Sequence, residues 1–117
     1  MDVSELARAI LAGDLLTARQ CVADAYREHV QWETLERPNG MNDRELSVAA
    51  AIVELLASRI GATPPSWTST VGGSSELIVL DPGLEHMPRS FAQAKSSGPE
   101  PLLRRNLVAL PDFLAVA

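Results

Sequence analysis

The chain has 117 residues, a formal net charge of −5 and 46% hydrophobic residues. This length predicts one domain, residues 1–117, and the acidic balance argues against a protein whose main task is to bind nucleic acid or anionic lipid. A single cysteine, Cys21, excludes an internal disulfide and a cysteine-rich zinc site. The sequence has neither a continuous apolar run of about 18 residues nor the pattern of a signal peptide, so we expect a cytoplasmic protein without a membrane span.

Two amphipathic helices are predicted in the first third of the chain. Asp2 and Glu5 have the spacing of a helix cap, and apolar residues then recur at helical spacing up to Leu11. Asp14 is a good N-cap for a second helix, whose apolar stripe runs to about Leu35. The turn sequence at residues 37–40 ends this second helix.

A third helix, over about residues 42–61, is the predicted centre of the fold. Asn42 and Glu45 have the spacing of a capping box, and Gly61 and Pro64 mark the end of the helix. A helix that is apolar nearly all round is a buried one. A narrow polar side remains, and we expect water to contact its members: Arg44, Glu45, Ser47, Glu54, Ser58 and Arg59.

The second half of the chain has a different character, because seven of the eight prolines follow residue 60. We predict short pieces that wrap over a three-helix core formed by residues 1–61. These pieces are an extended segment at 76–80 without a partner strand, short helices at 88–95 and 99–105, and a last turn that holds Phe113, Leu114 and Val116. The predicted fold class is therefore mainly α, a small helical bundle around a central buried helix with a proline-rich C-terminal half packed over it.

Residues 56–71 are similar to a helix-turn-helix: the end of one helix, Gly61 in the turn, Thr63 as a cap, then Trp67 and Val71 at helical spacing. A recognition helix needs polar side chains for base edges and basic side chains for phosphates. Residues 60–71 contain no basic residue, and two prolines shorten the second helix. The alternative interpretation is a tight turn that packs Trp67 on the core.

Basic residues are concentrated near the end of the chain, where residues 86–110 carry four of them against one acidic residue, Glu100. One hypothesis is a docking patch for a partner, made of Arg89, Lys95, Arg104, Arg105, Asn106 and Trp67. The other is a structural cluster that ties the C-terminal half to the acidic bundle. If the patch docks a partner, replacing Arg104 and Arg105 with alanine weakens binding and leaves melting nearly unchanged. A large loss of thermal stability would instead identify a structural role.

Nothing in the residue pattern predicts catalysis, a metal or a cofactor. The two histidines, His29 and His86, have no ligand spacing around them, and His29 falls on the inward edge of the second helix. The serines lack a nucleophile-elbow motif, and Gly72-Gly73 lacks the lysine of a phosphate-binding loop. We therefore expect a protein that is not an enzyme.

Three stretches of the second half carry a family resemblance: residues 64–68, 99–106 and the ending Pro111-Asp112-Phe113-Leu114. They resemble small actinobacterial-type antitoxins and proteins associated with XRE regulators. That resemblance implies a partner protein encoded nearby, such as a nucleotidyltransferase-like toxin, which this chain would bind and restrain. The chain departs from such regulators in having no complete DNA-binding domain.

Two hypotheses follow from the sequence. The first is a non-enzymatic α-helical interaction module that binds a partner protein. The second is a helix-turn-helix transcriptional regulator that contacts DNA through residues 56–71 as a homodimer. Salt-dependent DNA binding would favour the second, and purification together with a neighbour-encoded protein would favour the first.

Overall fold

A computed structural model describes residues 1–115, and the predicted inward position of Val116 lies outside them. Within these residues there are five α-helices, α1 to α5: Val3–Leu11, Leu15–Arg27, Asp43–Arg59, Pro88–Ser97 and Glu100–Leu103. Three short 3-10 helices lie at Trp32–Thr34, Ser66–Thr70 and Leu84–His86. Two short strands, β1 at Ile78–Val79 and β2 at Leu107–Val108, complete the fold. The predicted mainly helical class is confirmed.

Helix α3 is the buried centre that the sequence predicts. Asn42 caps it by accepting a hydrogen bond from the backbone N–H of Glu45, whose side chain in turn accepts one from the N–H of Asn42. Every residue from 47 to 57 is buried. At the other end Gly61 takes a positive φ of 69°, which lets the next N–H, that of Ala62, reach back to the carbonyl of Ala57.

The predicted polar side of α3 is only partly correct. Ser47 and Glu54 were expected to contact water, but their residues are 4% and 9% exposed. The hydroxyl of Ser47 donates to the carbonyl of Gly72 at 2.8 Å, so the C-terminal half of the chain covers this side of the helix. The buried polar side chains of Ser47 and Glu54 both have hydrogen-bond partners, and these partners come from distant parts of the sequence.

Helices α1 and α2 begin where predicted, with Asp2 and Asp14 as their side-chain caps. The predicted end of the second helix near Leu35 is wrong, because α2 stops at Arg27. His29 takes a positive φ of 52°, and the chain reverses there. The reversal buries Trp32, which is 4% exposed, and sets its ring 5.9 Å from that of Tyr26. Burial of a large aromatic side chain thus outweighs continuation of the helix.

The extended segment at 76–80 does have a partner, contrary to the prediction. Strand β1 pairs in parallel with β2, with Ile78 opposite Leu107 and Val79 opposite Val108. Parallel strands need a long crossover connection, and here α4 and α5 supply it. A two-residue partner that lies beyond two helices leaves no local signal in the sequence.

The C-terminal half packs over α3 as predicted. Its buried apolar residues join the main core with residues of α1, α2 and α3; they are Ile78, Leu80, Leu102, Leu107, Ala109, Phe113 and Leu114. A second, smaller core lies under α4, where Leu84, Ala94 and Val108 pack together. Within residues 1–115, each helix is too short or too polar to cross a membrane.

Candidate functional site

The buried guanidinium of Arg105 is the best-defined polar feature of the structure. Its side chain is 3% exposed. It donates two hydrogen bonds to the carboxylate of Glu54, from Nη1 to Oε1 at 2.7 Å and from Nη2 to Oε2 at 3.1 Å. The remaining N–H groups donate to the backbone carbonyls of Thr68, Pro101 and Val71, at 2.9, 3.0 and 3.3 Å. An arginine has five N–H donors, so all five are occupied by the protein itself.

Of the two hypotheses for the arginine cluster, the burial and internal pairing of Arg105 favour the structural one for this residue. A guanidinium without a free donor and almost without exposure offers nothing to a partner surface. The Glu54–Arg105 ion pair instead joins α3 to the loop at 68–71 and to α5. Arg105 therefore fits the alternative hypothesis, in which the arginine cluster ties the C-terminal half to the helical bundle.

The backbone around Arg105 is as closely packed as its side chain. The N–H of Ser74 donates to the carbonyl of Arg105 at 2.9 Å, and Gly73 lies directly against the same residue. A Cβ atom on Gly73 would lie 2.6 Å from the Cα of Arg105. Only glycine permits this approach, which brings the 72–75 loop onto the ion pair.

Glu54 keeps its charge in this setting. Burial acts to raise the pKa of the carboxyl group, but the hydrogen bonds from Arg105 and the positive charges of Arg105 and Arg104 outweigh it and lower the pKa below its ordinary value of 4.5. A carboxylate that is charged, buried and paired stabilises the fold only while it stays ionised.

This ion pair predicts a pH dependence of stability with a definite sign. Because the pKa of Glu54 is lower in the folded state, its contribution is present at neutral pH and is lost as the pH falls below 4.5 and through the folded value. Urea unfolding of the wild type and of Glu54→Gln at a series of pH values measures this contribution. Subtracting the two free energies of unfolding at each pH removes the effect of the other titrating groups. We expect the difference in free energy of unfolding between the wild type and Glu54→Gln to become smaller as the pH falls. A difference that stays constant or widens would contradict the pairing.

Arg104 and Asn106 flank the buried arginine but differ from it. The side chain of Arg104 is 47% exposed, and it pairs with Glu54 on its inner side and with Glu100 at 3.9 Å. Asn106 takes a positive φ of 64°, and its amide donates to the carbonyl of Ser74 at 3.4 Å. Arg104 is thus the member of this trio that keeps substantial solvent exposure.

The other three predicted contact residues lie on α4 and on the 3-10 helix at Ser66–Thr70. Arg89 and Lys95 are exposed on α4, where the ammonium group of Lys95 lies 4.4 Å from the ring centre of Phe91. Among residues 1–115, no hydrogen bond or ion pair joins them to Arg104 or Arg105. Trp67 is half-buried, and its indole N–H donates to the carbonyl of Leu35 at 2.9 Å.

The segment that resembles a helix-turn-helix has one long helix and no second one of comparable length. After α3 ends, residues 66–70 form a single 3-10 helix of five residues. Thr68 is buried, and the hydroxyls of Ser69 and Thr70 donate to the carbonyls of Ser66 and Trp67 in the same turn. This geometry matches the alternative interpretation, a tight turn that packs Trp67 against the core.

A cleft of about 530 Å³ lies between the C-terminal ends of α2 and α3. It combines the Tyr26–Trp32 aromatic pair with Ile60, an aliphatic side chain that is 54% exposed. Ten residues line the cleft, and six of them are apolar or aromatic: Ala25, Tyr26, Val30, Trp32, Ile60 and Ala62. His29 also lines it, exposed on the reversed turn and not on the inward edge of a helix as predicted.

The sequence did not reveal this cleft as a site. Its walls come from the end of α2, the turn at 29–33 and residues 60–63 after α3. The signals present were an isoleucine beside the glycine that ends α3 and two of the chain's five aromatic residues six positions apart. Neither signal points to a surface cleft without the position at which α2 stops.

The cleft combines apolar and polar side chains. It offers the partly exposed ring of Tyr26, the aliphatic side chain of Ile60 and the polar side chains of Gln31, Glu33 and Thr63, while Trp32 is 4% exposed. Within the part of the chain that the structure describes, no three His, Cys, Asp or Glu side chains are grouped as metal ligands. Comparison of this chain with protein-family models, with curated proteins and with solved structures finds no match.

Proposed function

We propose that this protein is a non-enzymatic α-helical interaction module that binds a partner protein through the cleft between α2 and α3. The observation that carries the proposal is the exposure of Ile60 beside the Tyr26–Trp32 pair. Aromatic residues next to an aliphatic side chain in a concave apolar setting are typical of the anchor points of protein interfaces. Exposure of such a side chain is otherwise unfavourable in water.

The shape of the cleft favours a protein segment over a compact ligand. Ala25 lines both this cleft and a second, separate groove between α1 and α2. Two neighbouring depressions along one helix fit a helix or an extended peptide better than a compact ligand. The antitoxin-like role, in which the partner is a toxin held inactive, rests only on the resemblance of residues 64–68, 99–106 and 111–114.

Site-specific photo-crosslinking in the native host tests the proposal. The crosslinking amino acid p-benzoylphenylalanine replaces Ile60 in one variant and Leu16 in another, since Leu16 is 81% exposed and lies outside the cleft. We expect a discrete crosslinked protein from position 60 that is missing from position 16. The same product at both positions, or none at position 60, would contradict the proposal.

The captured protein then permits a quantitative measurement. With both proteins purified, Ile60→Asp should weaken the complex at least about fivefold, because truncation or charging of a central apolar anchor costs more than about 1 kcal/mol. Leu16→Asp is the matched control and should leave the affinity unchanged. Isothermal titration calorimetry measures both.

A further inference from the structure

The apolar cleft has an acidic border. Glu33 lines the cleft itself, and Glu28 lies at the end of α2 as its C-cap residue. Asp24 precedes Glu28 by four positions, so the two carboxylates lie on the same side of the helix, about 6 Å apart at their Cβ atoms. The border runs parallel to the axis of α2.

The adjoining groove, of about 300 Å³, continues the same charge. Four carboxylate residues line it, namely Asp2, Glu5, Asp24 and Glu28. The positive groups nearby are the amino group of Met1, the guanidinium of Arg27, which pairs with Asp24, and that of Arg8, which is close enough to Asp2 to lower the pKa of its carboxyl group and pairs with Glu45. Among the described residues, no Lys or Arg side chain lines either depression. The negative charge along α2 is therefore incompletely neutralised.

Cys21 lines this groove, and the negative charge there affects the pKa of its thiol. Burial raises the pKa of its thiol, and the carboxylates of Glu5, Asp24 and Asp2 raise it further. A field that disfavours a thiolate favours a cation at the same place. The basic residues Arg89 and Lys95 are on α4 and do not offset it locally.

We infer that the partner segment bound in the α2–α3 cleft is basic and amphipathic, with an aliphatic or aromatic anchor for the cleft and Lys or Arg residues beside it for the carboxylates of α2. The anchor packs on Tyr26 and Ile60, and the flanking cations lie along Asp24, Glu28 and Glu33. This inference rests on the proposed function and adds the chemistry of the partner. An acidic segment would meet like charges along the whole groove.

Selection from a random peptide library displayed on phage tests the inference on the intact chain. Peptides retained by the wild-type protein but not by Ile60→Asp are sequenced. We expect them to be enriched in an apolar residue flanked by Lys or Arg. Neutral or acidic peptides that depend on Ile60 would overturn the partner chemistry and leave the cleft as a binding site. Peptides indifferent to Ile60→Asp would count against the proposed function as well.

Charge variants then localise the contact. A selected peptide should bind about fivefold more weakly to the double variant Glu28→Gln, Glu33→Gln, because two exposed ion pairs are lost. Glu76→Gln removes the same kind of charge from a site outside both depressions and should have no effect. Fluorescence anisotropy at two salt concentrations provides the readout, and the loss should be smaller at high salt. Equal affinities for the double variant and the control would overturn the inference.

Discussion

Replacing Arg105 with alanine should lower the free energy of unfolding by about 3–5 kcal/mol and the melting temperature by roughly 10–20 °C. The substitution removes five hydrogen bonds at once and leaves the carboxylate of Glu54 buried and without its principal partner. An uncompensated charge in a buried site costs far more than the ion pair contributed. Urea and thermal unfolding followed by circular dichroism measure the loss.

Arg104→Ala is the matched control, since Arg104 also contacts Glu54 but is about half exposed. It should cost about 1 kcal/mol or less, because solvent and Arg105 still stabilise the carboxylate. The double variant Glu54→Leu, Arg105→Met should recover much of the loss, since it leaves no charge without a partner. Equal destabilisation by Arg104→Ala and Arg105→Ala would show that the buried pair is not the source of the effect.

The contact between Arg105 and Glu54 could not be predicted from local sequence patterns. A pair of arginines after prolines indicated a cationic loop edge, and Glu54 was placed on the wet side of α3 by its helical spacing. The contact between them joins residues 51 positions apart in the chain. Local patterns describe what a segment prefers, whereas this ion pair depends on how the C-terminal half lies across α3.

The central helix was predictable for the opposite reason. Its capping box, its apolar run and the glycine that ends it are all signals within about twenty residues, and each appears in the structure. The end of α2 was not predictable, because the apolar stripe continues past Arg27 while the chain reverses at His29 to bury Trp32. The candidate cleft depends on that reversal, so it could not be anticipated either.

The buried ion pair and the proposed binding cleft consist of different residues. Arg105 and Glu54 are buried and join the C-terminal half to α3, while Ile60 at the end of the same helix is 54% exposed in the proposed binding cleft. Variants of the ion pair should therefore change unfolding and leave a selected peptide's affinity unchanged in the folded fraction. Variants of the cleft should do the reverse, which makes the two roles separable by experiment.

Replacing Gly73 with alanine should destabilise the protein by about 2–3 kcal/mol, although the residue is exposed. The added Cβ would lie 2.6 Å from the Cα, 2.7 Å from the carbonyl oxygen and 2.8 Å from the carbonyl carbon of Arg105. All three are backbone atoms, so no side-chain rotation can relieve the overlap. The 72–75 loop must move away, which breaks the hydrogen bond from the N–H of Ser74 to the carbonyl of Arg105. Chemical denaturation measures the loss, and hydrogen exchange at the Ser74 amide should become faster.

Gly72→Ala separates this overlap from the general effect of replacing a loop glycine. A Cβ on Gly72 meets no atom within 4 Å, so the substitution should change the free energy of unfolding by less than about 0.5 kcal/mol. The two glycines are neighbours in the same loop, and only one of them lies against Arg105. If both variants lose the same stability, the cost arises from the backbone freedom of the loop. If only Gly73→Ala loses stability and Ser74 protection, the close approach of the loop to Arg105 is what holds the ion pair in place.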